Sequence, residues 1–189
     1  MLDRRPLVVG LALLLTACQP AAPPAPTPTA SAVPAKPTSL PPTPTPPPVG
    51  SKRVDALNAA NDAFRSGDLE RAADLYDRVL NTPPIGESDA TRSAIDDLAA
   101  FRAIVALLGA GREDDGRAHL DSLRTRDADA PLARLANQLW DQYSMTGQLR
   151  GACAQLQPQI ASQAAGQVST LQGLGVTVDG NTLCTVPQG

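Results

Sequence analysis

The sequence predicts an all-α domain: a short stack of antiparallel helix pairs with a small C-terminal hairpin or irregular tail. Three observations carry that expectation. From Ser51 onward, apolar residues recur with the 3.6-residue period of a helix. Glycines and prolines fall at the ends of the periodic runs, where helices stop and start. Aromatics make up only 3% of the chain. The core therefore rests on Leu, Ala, Val and Ile, with Phe64, Tyr76, Phe101, Trp140 and Tyr143 as larger anchors.

The N-terminus reads as an address. Arg4 and Arg5 stand against Asp3, and Leu7 to Leu15 is apolar. Counted out to Ala17 the apolar stretch is about eleven residues, short of the roughly twenty that span a bilayer. It ends in Leu15-Thr16-Ala17-Cys18, which resembles the lipobox of bacterial lipoproteins: an aliphatic residue, two small ones, then Cys. The resemblance implies cleavage between Ala17 and Cys18 and a diacylglyceryl group on the Cys18 thiol. Small residues let a peptidase reach the scissile bond, and the thiol is the nucleophile that takes the lipid. Two or three acyl chains hold a protein stably where one is marginal. The alternative is an ordinary signal peptide with a chance Cys. The expected location is the cell membrane or outer membrane, with the domain facing the periplasm or the exterior. Gln19 stands where enteric-type sorting places an Asp for inner-membrane retention.

Residues 19–50 hold thirteen Pro between Pro20 and Pro48, among Ala and Thr. Pro fixes φ and removes a backbone donor, so this stretch is expected to be a disordered, extended tether of polyproline II character. At ~3.1 Å per residue its full reach is on the order of 100 Å.

The helices follow in order. Leu57, Ala60 and Phe64 share one face of the first, while Asp55, Asp62 and Arg65 point to water. Gly67 interrupts, Asp68 caps, and a second helix presents Leu69, Ala72, Ala73, Tyr76, Val79 and Leu80 before Pro83-Pro84. A third starts near Ser88 and is apolar almost all round from Ile95 to Leu108, so it is expected at the centre of the core. Gly109 and Gly111 end it. A weaker fourth covers about 113–126 with Ala118, Leu120 and Leu123. Pro131 opens a fifth with the clearest stripe: Leu132, Leu135, Ala136, Leu139, Trp140, Tyr143. After Gly147 the stripe Leu149, Ala152, Cys153, Leu156, Ile160, Ala164, Val168, Leu171 continues, with Pro158 expected to kink or divide it.

Residues 59–84, AANDAFRSGDLERAADLYDRVLNTPP, resemble a tetratricopeptide repeat. Ala60 matches the small residue of its first helix, with Phe64 one turn on. Gly67-Asp68 matches the turn, Ala72 the small contact position, Tyr76 the aromatic and Pro84 the closing Pro. The later units are degenerate: Gly111 and Gly147 occupy similar turns, but the Gly spacings are 44 and 36 residues, not a uniform 34. The resemblance implies a helical-repeat domain over 51–172 that binds other proteins. About three such repeats are needed to bury a continuous core.

With Cys18 lipidated, Cys153 and Cys184 remain as an even pair in an oxidising compartment, where a disulfide is expected and two free thiols are the alternative. Within 173–189, Val176 and Val178 alternate ahead of Asp179-Gly180, a small hairpin signal. The bridge would staple that tail to the helix carrying Cys153.

Formal net charge is −3. That lacks the basic stripe nucleic-acid binding draws on and offers anionic lipid no attraction. The membrane is expected to be reached through covalent lipid alone. His119 is the one His, with no second His for a metal pair. No phosphate loop, dinucleotide pattern, GxSxG or EF-hand is present. Asp96-Asp97 and Glu113-Asp114-Asp115 are expected to be solvated charge, the latter favouring a helix start. The sequence thus points to a non-enzymatic module that binds an envelope protein or acts as a scaffold, with no cofactor, metal or small-molecule ligand. The alternative is a small glycan- or peptidoglycan-active enzyme using acidic residues.

Overall fold

A computed structural model describes residues 52–187, which hold seven α-helices and, among the described residues, no strand. The lipobox-like residues Leu15 to Cys18, with the expected cleavage between Ala17 and Cys18, and the Pro-rich stretch 19–50 lie outside the described residues.

Helix α1 (Lys52–Arg65) buries Val54, Leu57, Ala60 and Phe64 along one face. Its exit is a Schellman turn: Gly67 takes φ +82°, its N–H bonds Phe64 O, and Asp68 N–H bonds Ala63 O. Only a residue without Cβ enters that left-handed region at no strain. The Asp68 side chain then accepts from Arg71 N, capping α2 (Leu69–Asn81). Ala60 and Ala72 are both fully buried, so small side chains sit where the paired helices meet.

Helix α3 (Asp89–Gly109), capped by Ser88, buries every residue from Asp97 to Leu108. It touches α1, α2 and four later helices: α4 (Glu113–Asp127), α5 (Pro131–Thr146), α6 (Leu149–Gln163) and α7 (Ala165–Gly173). The pairs α1/α2, α3/α4 and α5/α6 are each joined through a left-handed glycine, Gly67, Gly111 and Gly147. The chain is therefore an all-α stack of helix pairs. The uneven glycine spacing comes from α3, at 21 residues against 14 for α1. Gly116 on α4 is buried against α3, where a Cβ would sit 3.3 Å from Leu108 Cδ2.

Two local expectations are revised. Pro158 lies inside an unbroken α6, and the division falls at Ala164. Pro158 removes one donor, to the carbonyl of solvent-exposed Ala154, while Cys153, Leu156 and Ile160 stay buried and hold the helix together. The Val176/Val178 alternation forms an extended segment but not a hairpin: Asp179 caps a 3-10 turn at Gly180–Thr182 by accepting from Asn181 N. The irregular tail is what forms, because its main chain finds partners on helix side chains rather than on a second strand.

Candidate functional site

Residues 175–187 leave α7 and run as a strap over the faces of α1, α3 and α6. Asn58, half-buried on α1, grips it as a pincer: its Nδ2 donates to Gly175 O (3.0 Å) and its Oδ1 accepts from Thr177 N (2.7 Å). One turn on, Asn61 Nδ2 donates to Thr177 O (3.2 Å). Gln157 on α6 donates to Gly180 O, Arg102 on α3 to Thr182 O, and Arg150 to Pro187 O. All of these contacts read main chain. Val176, Val178 and Leu183 turn inward and are buried, supplying the apolar part of the grip.

Beneath the strap lies a buried polar hub. Asn61 is fully buried, and its Oδ1 accepts from Tyr76 OH (2.9 Å) and Arg102 Nη1 (3.2 Å). The Arg102 guanidinium lies over the Phe64 ring at 4.8 Å, and its Nε has no hydrogen-bond partner. No carboxylate among the described residues makes an ion pair with it. Burial pushes the Tyr76 hydroxyl pKa up, and the nearby Arg102 cation partly offsets that. Tyr76 thus stays a neutral donor to Asn61.

The strap is tied covalently. Cys153 on α6 and Cys184 form a disulfide, Cα atoms 5.3 Å apart. A cavity of about 400 Å³ lies beside it, lined by both cysteines with Arg150, Gln157 and Val186.

A second polar region lies on α2, α3 and α4. Arg53, buried on α1, pairs with Glu87 (2.7 Å) and with Asp96, and donates to Val79 O. Arg126 approaches Asp96 from the other side at 3.7 Å. Next to this network, Asp77, Asp96, His119, Ser122 and Arg126 line a cavity of about 470 Å³. His119 Nε2 sits 3.0 Å from Asp77 Oδ1, tying α4 to α2. No group of three metal-ligating side chains occurs among the described residues.

The repeat-packing residues are brought together: Ala60, Phe64, Ala72 and Tyr76 are buried in the α1/α2 pair, with Gly67 in its turn, while Pro84 is exposed in the loop before α3. Asp96 and Asp97, expected in solvent, are not there. Asp96 is held between two arginines, and Asp97 is 2% exposed, taking hydrogen bonds from Ser93 and from Gln167 on α7. Burial raises the Asp97 carboxyl pKa above its usual range. Adjacency along α3 said nothing of what α1 and α7 place opposite. Of the other acidic run, Glu113 accepts from Tyr143 OH (2.5 Å), raising the tyrosine's pKa, and Asp115 pairs with exposed Arg112. Asn58, Asn61, Arg53 and Arg102 were missed. The one visible signal was Arg102, a lone charge inside the apolar run 98–108. No family model, curated protein or solved structure matches this chain.

Proposed function

We propose that this chain is a lipid-anchored cell-envelope protein acting as a protein-binding or scaffold module through its helical-repeat surface. The observation that carries the reading is the grip on 175–187: donors and acceptors on α1, α3 and α6 hold an extended segment by its main chain. A surface that holds one polypeptide in this way has the chemistry to hold another. The lipobox supports the anchor, and the Pro-rich stretch supports a spacer between membrane and domain. Among the described residues no helix is long and apolar enough to cross a membrane; the proposed attachment is lipid on Cys18, which rests on the lipobox resemblance.

Two experiments test this. Metabolic acyl labelling is expected to mark the wild-type chain and not Cys18→Ser; label on the variant would sink the anchor. In-cell crosslinking followed by membrane solubilisation is expected to recover a discrete envelope protein with the chain. Recovery of the chain by itself across several crosslinkers would overturn the binding role.

A further inference from the structure

We propose that residues 175–187 are a releasable pseudo-ligand, latched by the Cys153–Cys184 disulfide, that masks the peptide-binding face of α1, α3 and α6. The inference rests on the binding reading above and says which surface binds, what kind of segment fits and what keeps it closed.

Val176, Val178, Leu183 and Cys184 are buried with the core, and three features nonetheless distinguish the strap from the helices. It adds no helix or strand to the stack beyond a single 3-10 turn. Its polar contacts are made by side chains of the helices to its own main chain, so the polar half of the cradle does not read the strap's side chains. Its hinge is defined: Gly175, at φ +85°, closes the Schellman turn that ends α7, with Val176 N–H on Leu171 O. That turn uses Val176 N–H, so in the proposed released state it is the segment from Thr177 onward that leaves the cradle. What it uncovers is Asn58, Asn61 and Arg102, already aimed at a polypeptide backbone. The strap's own pattern describes the fitting partner: an extended segment with aliphatic side chains at alternate positions, as at Val176 and Val178, and a single charge, as at Asp179.

The disulfide decides which segment is resident. While it is closed, the strap's effective concentration at the cradle excludes a competitor from outside. A dithiol reductant opens it, the cavity lined by Cys153 and Cys184 lying beside the bond. One thiolate of the reductant attacks a sulfur of the bridge, forming a mixed disulfide and expelling the other cysteine as thiolate. The second thiolate of the reductant attacks that mixed disulfide and frees the remaining cysteine. The reductant leaves as its own disulfide, and two electrons and two protons have passed to the protein.

The test is hydrogen exchange on the full mature chain, oxidised and after dithiothreitol. Thr177 N–H is expected to exchange about 100-fold faster on reduction, the loop-closure value for the roughly ten residues between α7 and Cys184. The amides of Ile104 and Val105 in α3 are expected to keep their protection. A fluorescent peptide of residues 175–187, with Ser in place of Cys184, is then expected to bind the reduced chain at least tenfold more tightly than the oxidised one. Cys153→Ser/Cys184→Ser is expected to match the reduced protein. The proposal is overturned if strap protection does not change, or if α3 loses protection in step with it. It is equally overturned if the peptide fails to bind the reduced chain or binds both forms alike. None of these failures touches the crosslinking result, which reports partners held by any face.

Discussion

Asn61→Leu should be among the most damaging single changes in the domain, although Leu is similar in volume and apolar. Asn61 is fully buried and serves three partners: Tyr76 OH, Arg102 Nη1 and Thr177 O. Removing it strands the tyrosine hydroxyl, at about 1–3 kcal/mol for an unsatisfied buried group. It also takes one of few acceptors from the buried Arg102 cation, whose Nε already lacks one, at a further ~1–3 kcal/mol. Thr177 is exposed, so water can replace its lost partner. Burying the leucine returns about 1–2 kcal/mol. The net loss is therefore about 1–4 kcal/mol. Urea unfolding, followed by Trp140 fluorescence, reads it directly. Tyr76→Phe removes the stranded hydroxyl, so Asn61→Leu/Tyr76→Phe should be less destabilised than the sum of the singles by roughly 1 kcal/mol. Asn58→Ala, at the half-exposed pincer, should cost only about 1 kcal/mol. Strict additivity, or an Asn61→Leu protein within about 0.5 kcal/mol of wild type, would refute the hub.

Other expectations follow from the buried charges and the turn. Arg53→Met strips buried Glu87 of its cation and leaves Asp96 with Arg126 alone, and should lose roughly 3–5 kcal/mol; adding Glu87→Gln and Asp96→Asn should restore much of it, measured by the same unfolding curves. Asp97→Asn should stabilise the fold at neutral pH, because the amide can donate to Gln167 Oε1, which now has no partner. The sign with pH follows from a folded-state pKa held above 3.8. The protonated carboxyl's contribution is present below the unfolded value and is lost as pH rises through the folded one. The variant's advantage in melting temperature should therefore open with rising pH and then level off, whereas an advantage that shrinks would contradict the assignment. Gly67→Ala should cost about 1–2 kcal/mol from the left-handed backbone alone. Its effect should appear as a lower urea midpoint with an unchanged m-value.

What could be read from the sequence and what could not divide along range of contact. The 3.6-residue stripes, the Ser88 and Asp68 caps, Pro131 in a first turn and the Gly67, Gly111 and Gly147 turns are set by neighbours a few residues away, and each lies where its local chemistry puts it. Burying α3 on all sides follows from having no polar stripe between Leu98 and Leu108, Arg102 apart. The polar residues of the core obey no such rule. Asn61 reads as an ordinary helix residue beside Asp62, and its position gives no sign of a partner more than a hundred residues later.

The C-terminal tail shows the same division most sharply. Its period-two alternation was legible, and Val176 and Val178 are indeed buried while Thr177 and Asp179 face out. Alternation specifies an extended chain with one apolar side; it does not specify what satisfies the main chain. A hairpin would have met that need with a second strand two residues away. Here Asn58, Asn61, Arg102 and Gln157 meet it from three different helices. These helices carry amides and a guanidinium where an ordinary stack would carry leucine or alanine. Asn61 also ties Tyr76 and Arg102 together within the stack, but the hydrogen bonds of Asn58 and Gln157 go to the strap's main chain alone. Those two have value only if a polypeptide backbone lies there, which is why the strap and its cradle, rather than the repeat pattern, are where this domain's function should be sought.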